Sequence, residues 1–145
     1  MARSSSSRDI SFETDFGSAR IRWDGPRATL FLDGVESSAV DTSDPTYLEF
    51  EYMQHMSAVV AASRGEGDRF RALHVGGAAC ALACAWSARY PQSRHVAVEV
   101  DGALAAQVRE HFPIPKAPQV KIRVGDGRAV LDATREGSFD VIVRD

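Results

Sequence analysis

Three polar points recur through the second half of this 145-residue chain: Gly76-Gly77, Glu99 and Gly125-Asp126-Gly127. A strand that runs into a glycine pair and then a helix gathers backbone N–H groups and the positive helix end at one place, where an anionic or strongly polar group can rest on the main chain. Gly76-Gly77 has that form. Alone it is as well explained by turn packing, because the three spaced glycines of a full dinucleotide fingerprint are absent. Glu99 follows Gly76 by 23 positions, close to the offset of about 20 at which a strand-end acid accepts both hydroxyls of a ribose. Its plain alternative is an exposed strand end. Asp126, between two glycines, suits the exocyclic amine of an adenine, and equally suits a helix N-cap. Three such points at three consecutive strand ends favour a ligand, since open α/β sheets bind at the carboxyl ends of their strands. Asp101 falls at a helix start and reads as a cap.

The other reactive side chains read as structural. His55 and His74 could move protons near neutral pH, but His74 sits in a strand covered on both faces, where a satisfied buried imidazole is expected. His95 and His111 have no acidic or nucleophilic partner at readable spacing. Cys80 and Cys84 lie one helical turn apart in an alanine-rich stretch, poor geometry for a disulfide and too few ligands for zinc, so both read as small buried hydrophobes. There is no Gly-x-Ser-x-Gly, no Walker loop and no metal-ligand cluster, and no metal is expected.

These points need elements to position them. With 44% hydrophobic residues the chain can build one core. A net charge of −3 without a basic stripe argues against nucleic acid, and no apolar run approaches the roughly 20 residues of a membrane helix; a cytoplasmic protein is expected. Residues 1–9, with the serine run Ser4 to Ser7, read as a disordered tail. In 10–43, segments Ile10 to Phe16, Ala19 to Trp23, Ala28 to Leu32 and Val35 to Val40 predict an antiparallel meander. In 44–70, Asp44-Pro45 predicts the start of a helix that carries Leu48, Tyr52, Met56, Val59 and Val60 and ends near Ser63, followed by a polar, glycine-bearing loop. Residues 71–145 alternate as a parallel α/β unit: strands at 71–75, 95–100, 120–124 and 139–143, with helices from Ala78 to Tyr90, after Asp101 and after Asp126, in spatial order 3-2-1-4.

The motifs L-F-L-D-G-V-E at 30–36, D-P-T-Y-L-E-F-E-Y-M-Q-H-M at 44–56, L-H-V-G-G-A at 73–78, V-E-V-D at 98–101, V-G-D-G-R-A at 124–129 and F-D-V-I-V-R-D at 139–145 fall in the order seen in the spermidine synthase family, and the chain resembles the N-terminal half of such a protein. The resemblance implies a truncated Rossmann-like parallel sheet of the S-adenosylmethionine-dependent methyltransferase fold behind a small antiparallel sheet. It implies S-adenosylmethionine or decarboxylated S-adenosylmethionine as donor, held by Gly76, Gly77, Glu99 on the ribose, Asp126 on the adenine and Gly127. It gives Asp145 a substrate-amine or proton-accepting role and places Tyr47, Glu49 and Glu51 near the polyamine-binding segment. The alternatives are a methyltransferase on the same scaffold and a non-catalytic homologue that keeps nucleotide binding or dimerisation. Two departures stand out. Ala78 and Ala79 occupy the places of a third glycine and of the acid that holds the donor's aminopropyl ammonium, which implies weak aminopropyl transfer and a gain of turnover in Ala79→Asp. The apolar strand 139–143 has nothing after it in the sequence to cover it, which implies completion by further chain or by self-association into a homo-oligomer.

Overall fold

The computed structural model describes residues 8–145; the serine run lies outside the described residues. The first sheet is an antiparallel meander of β1 (Arg8–Glu13), β2 (Ser18–Asp24), β3 (Arg27–Leu32) and β4 (Val35–Asp41) in sequential order. Arg8 and Asp9, expected in the tail, already pair with Trp23 and Arg22. Strand alternation sends Ala19 and Ile21 of β2 and Ala28 and Leu30 of β3 to one buried face while Arg20 and Arg22 turn outward. That face does not close on itself. It packs on Leu104, Val108 and Phe112 and on Ala79, so the meander and the α/β layer share one core. Burying Ile21 and Leu30 completely contributes about 1.5–3 kcal/mol each.

The second sheet is parallel, ordered β7 (Val120–Val124), β6 (Arg94–Glu99), β5 (Arg71–Val75), β8 (Val141–Arg144), which is the expected 3-2-1-4. Pairing of Ala72 with His95 and of His74 with Ala97 sets those side chains on the face covered by α1 (Glu51–Ser63) and α2 (Ala81–Arg89), where Met53, Val60, Trp86 and Tyr90 pack with Phe70, Ala72 and Val143. Leu73 and Val98 take the opposite face against Val130 of α4 (Gly127–Ala133) and Phe139. α3 (Gly102–His111) is capped by Asp101 and ends before Pro113, as expected.

Two helix starts differ from expectation. α1 begins at Glu51, not at Asp44. The Asp44 carboxylate accepts from the Thr46 N–H and hydroxyl, and Asp41 accepts from the Ser43 and Asp44 N–H groups, so both acids stabilise tight local turns that compete with a helix. Leu48 and Phe50 then enter the core from irregular backbone. α2 begins at Ala81, not Ala78, because Ala78 (φ 43°) and Cys80 (φ 57°) both adopt left-handed backbone that a right-handed helix cannot contain. The last strand starts at Val141, since the Asp140 carboxylate turns back to accept the Arg71 N–H.

Candidate functional site

The carboxyl ends of β5, β6, β7 and β8 meet at one end of the parallel sheet. β5 runs into Gly76, whose φ of +92° favours glycine and whose missing Cβ would lie 2.7 Å from the Asp145 carbonyl oxygen. The turn therefore lies directly against the end of β8. Beyond it, the Ala78 N–H donates to Glu99 Oε1 at 3.0 Å and the Asp101 N–H donates to Oε2 at 3.1 Å. Glu99 thus spans the ends of β5 and β6 with both oxygens anchored on the main chain, and each oxygen keeps acceptor capacity for a ligand hydroxyl. It is half-buried, not the free strand end that the sequence alone allows.

Asp126 accepts the Ala129 N–H on Oδ2 at 2.9 Å, so it is the N-cap of α4. Its other oxygen has no partner among the described residues and stays exposed. Gly127 is required by packing: a Cβ there would come within 2.5 Å of Val75 Cγ1. Val100, next after Glu99, and Val124, paired with Glu99 across the sheet, are exposed apolar side chains, 49% and 57% accessible. An anchored carboxylate, a second acid with a free oxygen and two apolar side chains make a set that suits a ribose and a flat, partly apolar base.

Across the turn, the Tyr52 hydroxyl donates to Asp145 Oδ1 at 2.8 Å. Burial, together with the adjacent Asp145, pushes the Tyr52 hydroxyl up to about 12, so it remains a donor at any physiological pH. The resemblance places Tyr47 and Glu51 near the polyamine-binding segment and gives Tyr52 no role. The structure places Tyr47 elsewhere, its hydroxyl on Glu49 and its ring beneath the Arg27 guanidinium at 4.4 Å. Glu51 lies on the exposed face of α1 within 3.7 Å of His55. The signal for Tyr52 was present in Y-L-E-F-E-Y. Starting the helix at Asp44 displaced the frame, whereas a start at Glu51 puts Tyr52 in the first turn, facing β8.

Ala79 also departs from expectation. It is 1% accessible and packs in the core shared with β2, β3 and α3, its N–H on Ser38 Oγ at 3.3 Å. A side chain here meets the antiparallel sheet, not the space beside Glu99 and Asp145. No group of three His, Cys, Asp or Glu able to hold a metal occurs among the described residues. The two cysteines are reduced, and burial pushes both thiols up to about 12, as inert packing groups. None of the described helices is long and apolar enough to cross a membrane.

No protein-family model and no curated protein matches the chain. Solved structures do. A probable spermidine synthase from Corynebacterium glutamicum aligns with 94% of this chain at 37% identity and a TM-score of 0.86, over 51% of its own length. A spermidine synthase in complex with the transition-state analogue AdoDATO aligns with 94% of the chain at 20% identity and a TM-score of 0.68, a likeness of fold. Human methyltransferase-like protein 13 in complex with SAH covers 66% of the chain at 25% identity and a TM-score of 0.57. The chain spans about half the length of these solved chains.

Proposed function

We propose, from the structural match to a probable spermidine synthase at 37% identity, that this chain is a member of the spermidine synthase family, that it binds an adenosyl-sulfonium nucleotide at the carboxyl ends of β5, β6 and β7 in the cytoplasm, and that it supports transfer from that nucleotide to an amine. The observation that carries this reading is Glu99: a carboxylate anchored by two N–H groups across the nucleotide-type turn, with acceptor capacity directed to a ligand. Glu99 takes the ribose hydroxyls, Asp126 the exocyclic amine of adenine through its unpartnered oxygen, and Val100 and Val124 the faces of the base. Gly76 and Gly77 keep the turn free of side chains where the donor's sulfonium end passes. When bound, the nucleotide supplies an electrophilic carbon beside a positive sulfur. The chain's own part is to hold that carbon and to take the proton that the attacking amine loses. Asp145 takes that task in this reading, which the hydrogen bond from the Tyr52 hydroxyl to its Oδ1 supports. Tyr47 and Glu51 are the candidates for the outer part of a polyamine.

Calorimetry with methylthioadenosine and S-adenosylmethionine, wild type against Glu99→Gln, tests the site. Hydrogen bonds to a charged acceptor contribute roughly 1.5–3 kcal/mol, so the variant should bind about ten- to a hundred-fold more weakly. Equal affinities would remove Glu99 from the site. The likeness to a methyltransferase-like protein favours a second reading, methyl transfer on the same scaffold. The released nucleotide separates them: methylthioadenosine for aminopropyl transfer, S-adenosylhomocysteine for methyl transfer. We also propose that the β8 edge, where Ile142 is 54% accessible on the α4 face, is covered by further strands or by a second copy in a homo-oligomer.

A further inference from the structure

A chamber of about 150 Å³ lies between β4, α2 and the segment after α3. Its wall is made by Val40 from β4, Ala79, Ala81 and Cys84 from α2 and its approach, and Phe112 and Ile114 from the segment after α3. Ala81 also lines the small cleft that contains Gly76, Gly77 and Asp145, so the chamber and the proposed transfer centre share a lining residue. Tyr47 and Asp41 stand at its rim.

The chamber carries its one acid at the rim and none inside. Asp41 is the sole carboxylate among its lining residues, and it is already engaged: it accepts from the Ser43 hydroxyl at 2.6 Å and the Ser43 N–H at 2.8 Å, and Arg27 stands 3.6 Å away. The Glu49 carboxylate nearby is taken by the Tyr47 hydroxyl. Inside, the side chains are aliphatic, aromatic or a thiol held neutral by burial. An ammonium placed there would lose its water with no acid to replace it. The chamber opens to solvent at Thr42, Pro45 and Pro113, and its volume is enough for a molecule about the size of benzene.

We infer that the chamber is a binding site for a small uncharged apolar group, and that it takes an apolar part of the acceptor rather than an ammonium. The role assigned to this group rests on the nucleotide reading; the chamber itself does not.

The test uses toluene as probe, followed by methyl and amide NMR shifts with methylthioadenosine present. Saturable shifts at Ala79, Ala81 and Ile114 are expected, unaffected by equimolar putrescine. Cys84→Leu and Ile114→Phe fill the chamber from two sides. At least one should fold, and each folded variant should lose toluene affinity tenfold or more while binding methylthioadenosine as wild type does. Unsaturable toluene shifts in a protein that binds the nucleotide would overturn the chamber and leave the nucleotide reading intact. Displacement of toluene by putrescine would overturn the apolar assignment. Saturable toluene binding in a protein that binds no nucleotide would leave the chamber standing and overturn its role as an acceptor subsite.

Discussion

Ala79 shows how a residue can match a motif position and still face away from Glu99 and Asp145. By sequence it stands where the resemblance puts an amine-binding acid; by structure its side chain is buried against the antiparallel sheet and α3, at the wall of the chamber. An aspartate there would be a carboxylate buried without a cationic partner. Ala79→Asp should therefore lower stability by about 3–5 kcal/mol, the usual cost of an uncompensated buried charge, and should not raise turnover. Urea unfolding beside a methylthioadenosine-release assay checks both halves; unchanged stability with raised turnover would restore the motif's reading. Tyr52 makes the converse case, a residue inside the 44–56 motif that was given no role and that touches the proposed acid. Tyr52→Phe removes one hydrogen bond to a charged group, so about ten- to a hundred-fold should be lost in kcat, with nucleotide affinity unchanged. A drop in nucleotide affinity instead would place Tyr52 in the donor site.

The elements were legible where one physical signal dominated. Alternation fixed the meander, and strands bounded by glycine, proline and capping aspartates fixed the order of the parallel sheet. The starts of α1 and α2 were not legible, because local side-chain hydrogen bonds at Asp41 and Asp44 and two left-handed residues, Ala78 and Cys80, outweigh helix propensity there. Nor did the sequence show what joins the two sheets. Asp101, read as a cap, accepts from Leu104 at 2.9 Å and also from the Asp15 and Phe16 N–H groups at 3.0 and 3.3 Å, tying the β1–β2 turn to the start of α3. Burial alone would raise its carboxyl, but these N–H donors outweigh that and hold it below the ordinary value. Asp101→Ala should cost about 2–3 kcal/mol, a lost cap plus two stranded donors, and Asp101→Asn less. Because the folded value is depressed, this contribution is full above the unfolded value near 3.9 and is lost as pH falls through the folded one. Equal stability of wild type and Asp101→Ala in urea at pH 7 would contradict the tie.

At the scale of the whole molecule, the least expected feature is a chain of hydrogen bonds through the covered face of the parallel sheet. The Ser93 hydroxyl is 2.6 Å from the Tyr90 carbonyl, to which it must donate, so it accepts from His95 Nε2 at 2.7 Å. His95 then carries its proton on Nε2, and its Nδ1, 2.9 Å from His74 Nε2, accepts from His74. Both imidazoles are neutral and fixed in one tautomer. Burial holds His74 down to about 3, with the neighbouring His95 adding to it, and burial holds His95 down to about 4. In the unfolded chain each titrates near 6.5. Between these values the unfolded state binds more protons than the folded state, so stability is full above about pH 6.5 and falls as pH drops toward 4. The slope should approach about 1.4 kcal/mol per histidine for each pH unit below 6.5. Chemical unfolding at pH 7.5, 6.0 and 5.0 measures it. His74→Leu should roughly halve the slope, even though it lowers stability at pH 7.5 by leaving His95 Nδ1 without a donor. A wild-type slope that is flat across this range would mean that water reaches the pair and that the sheet face is open rather than sealed by α1 and α2.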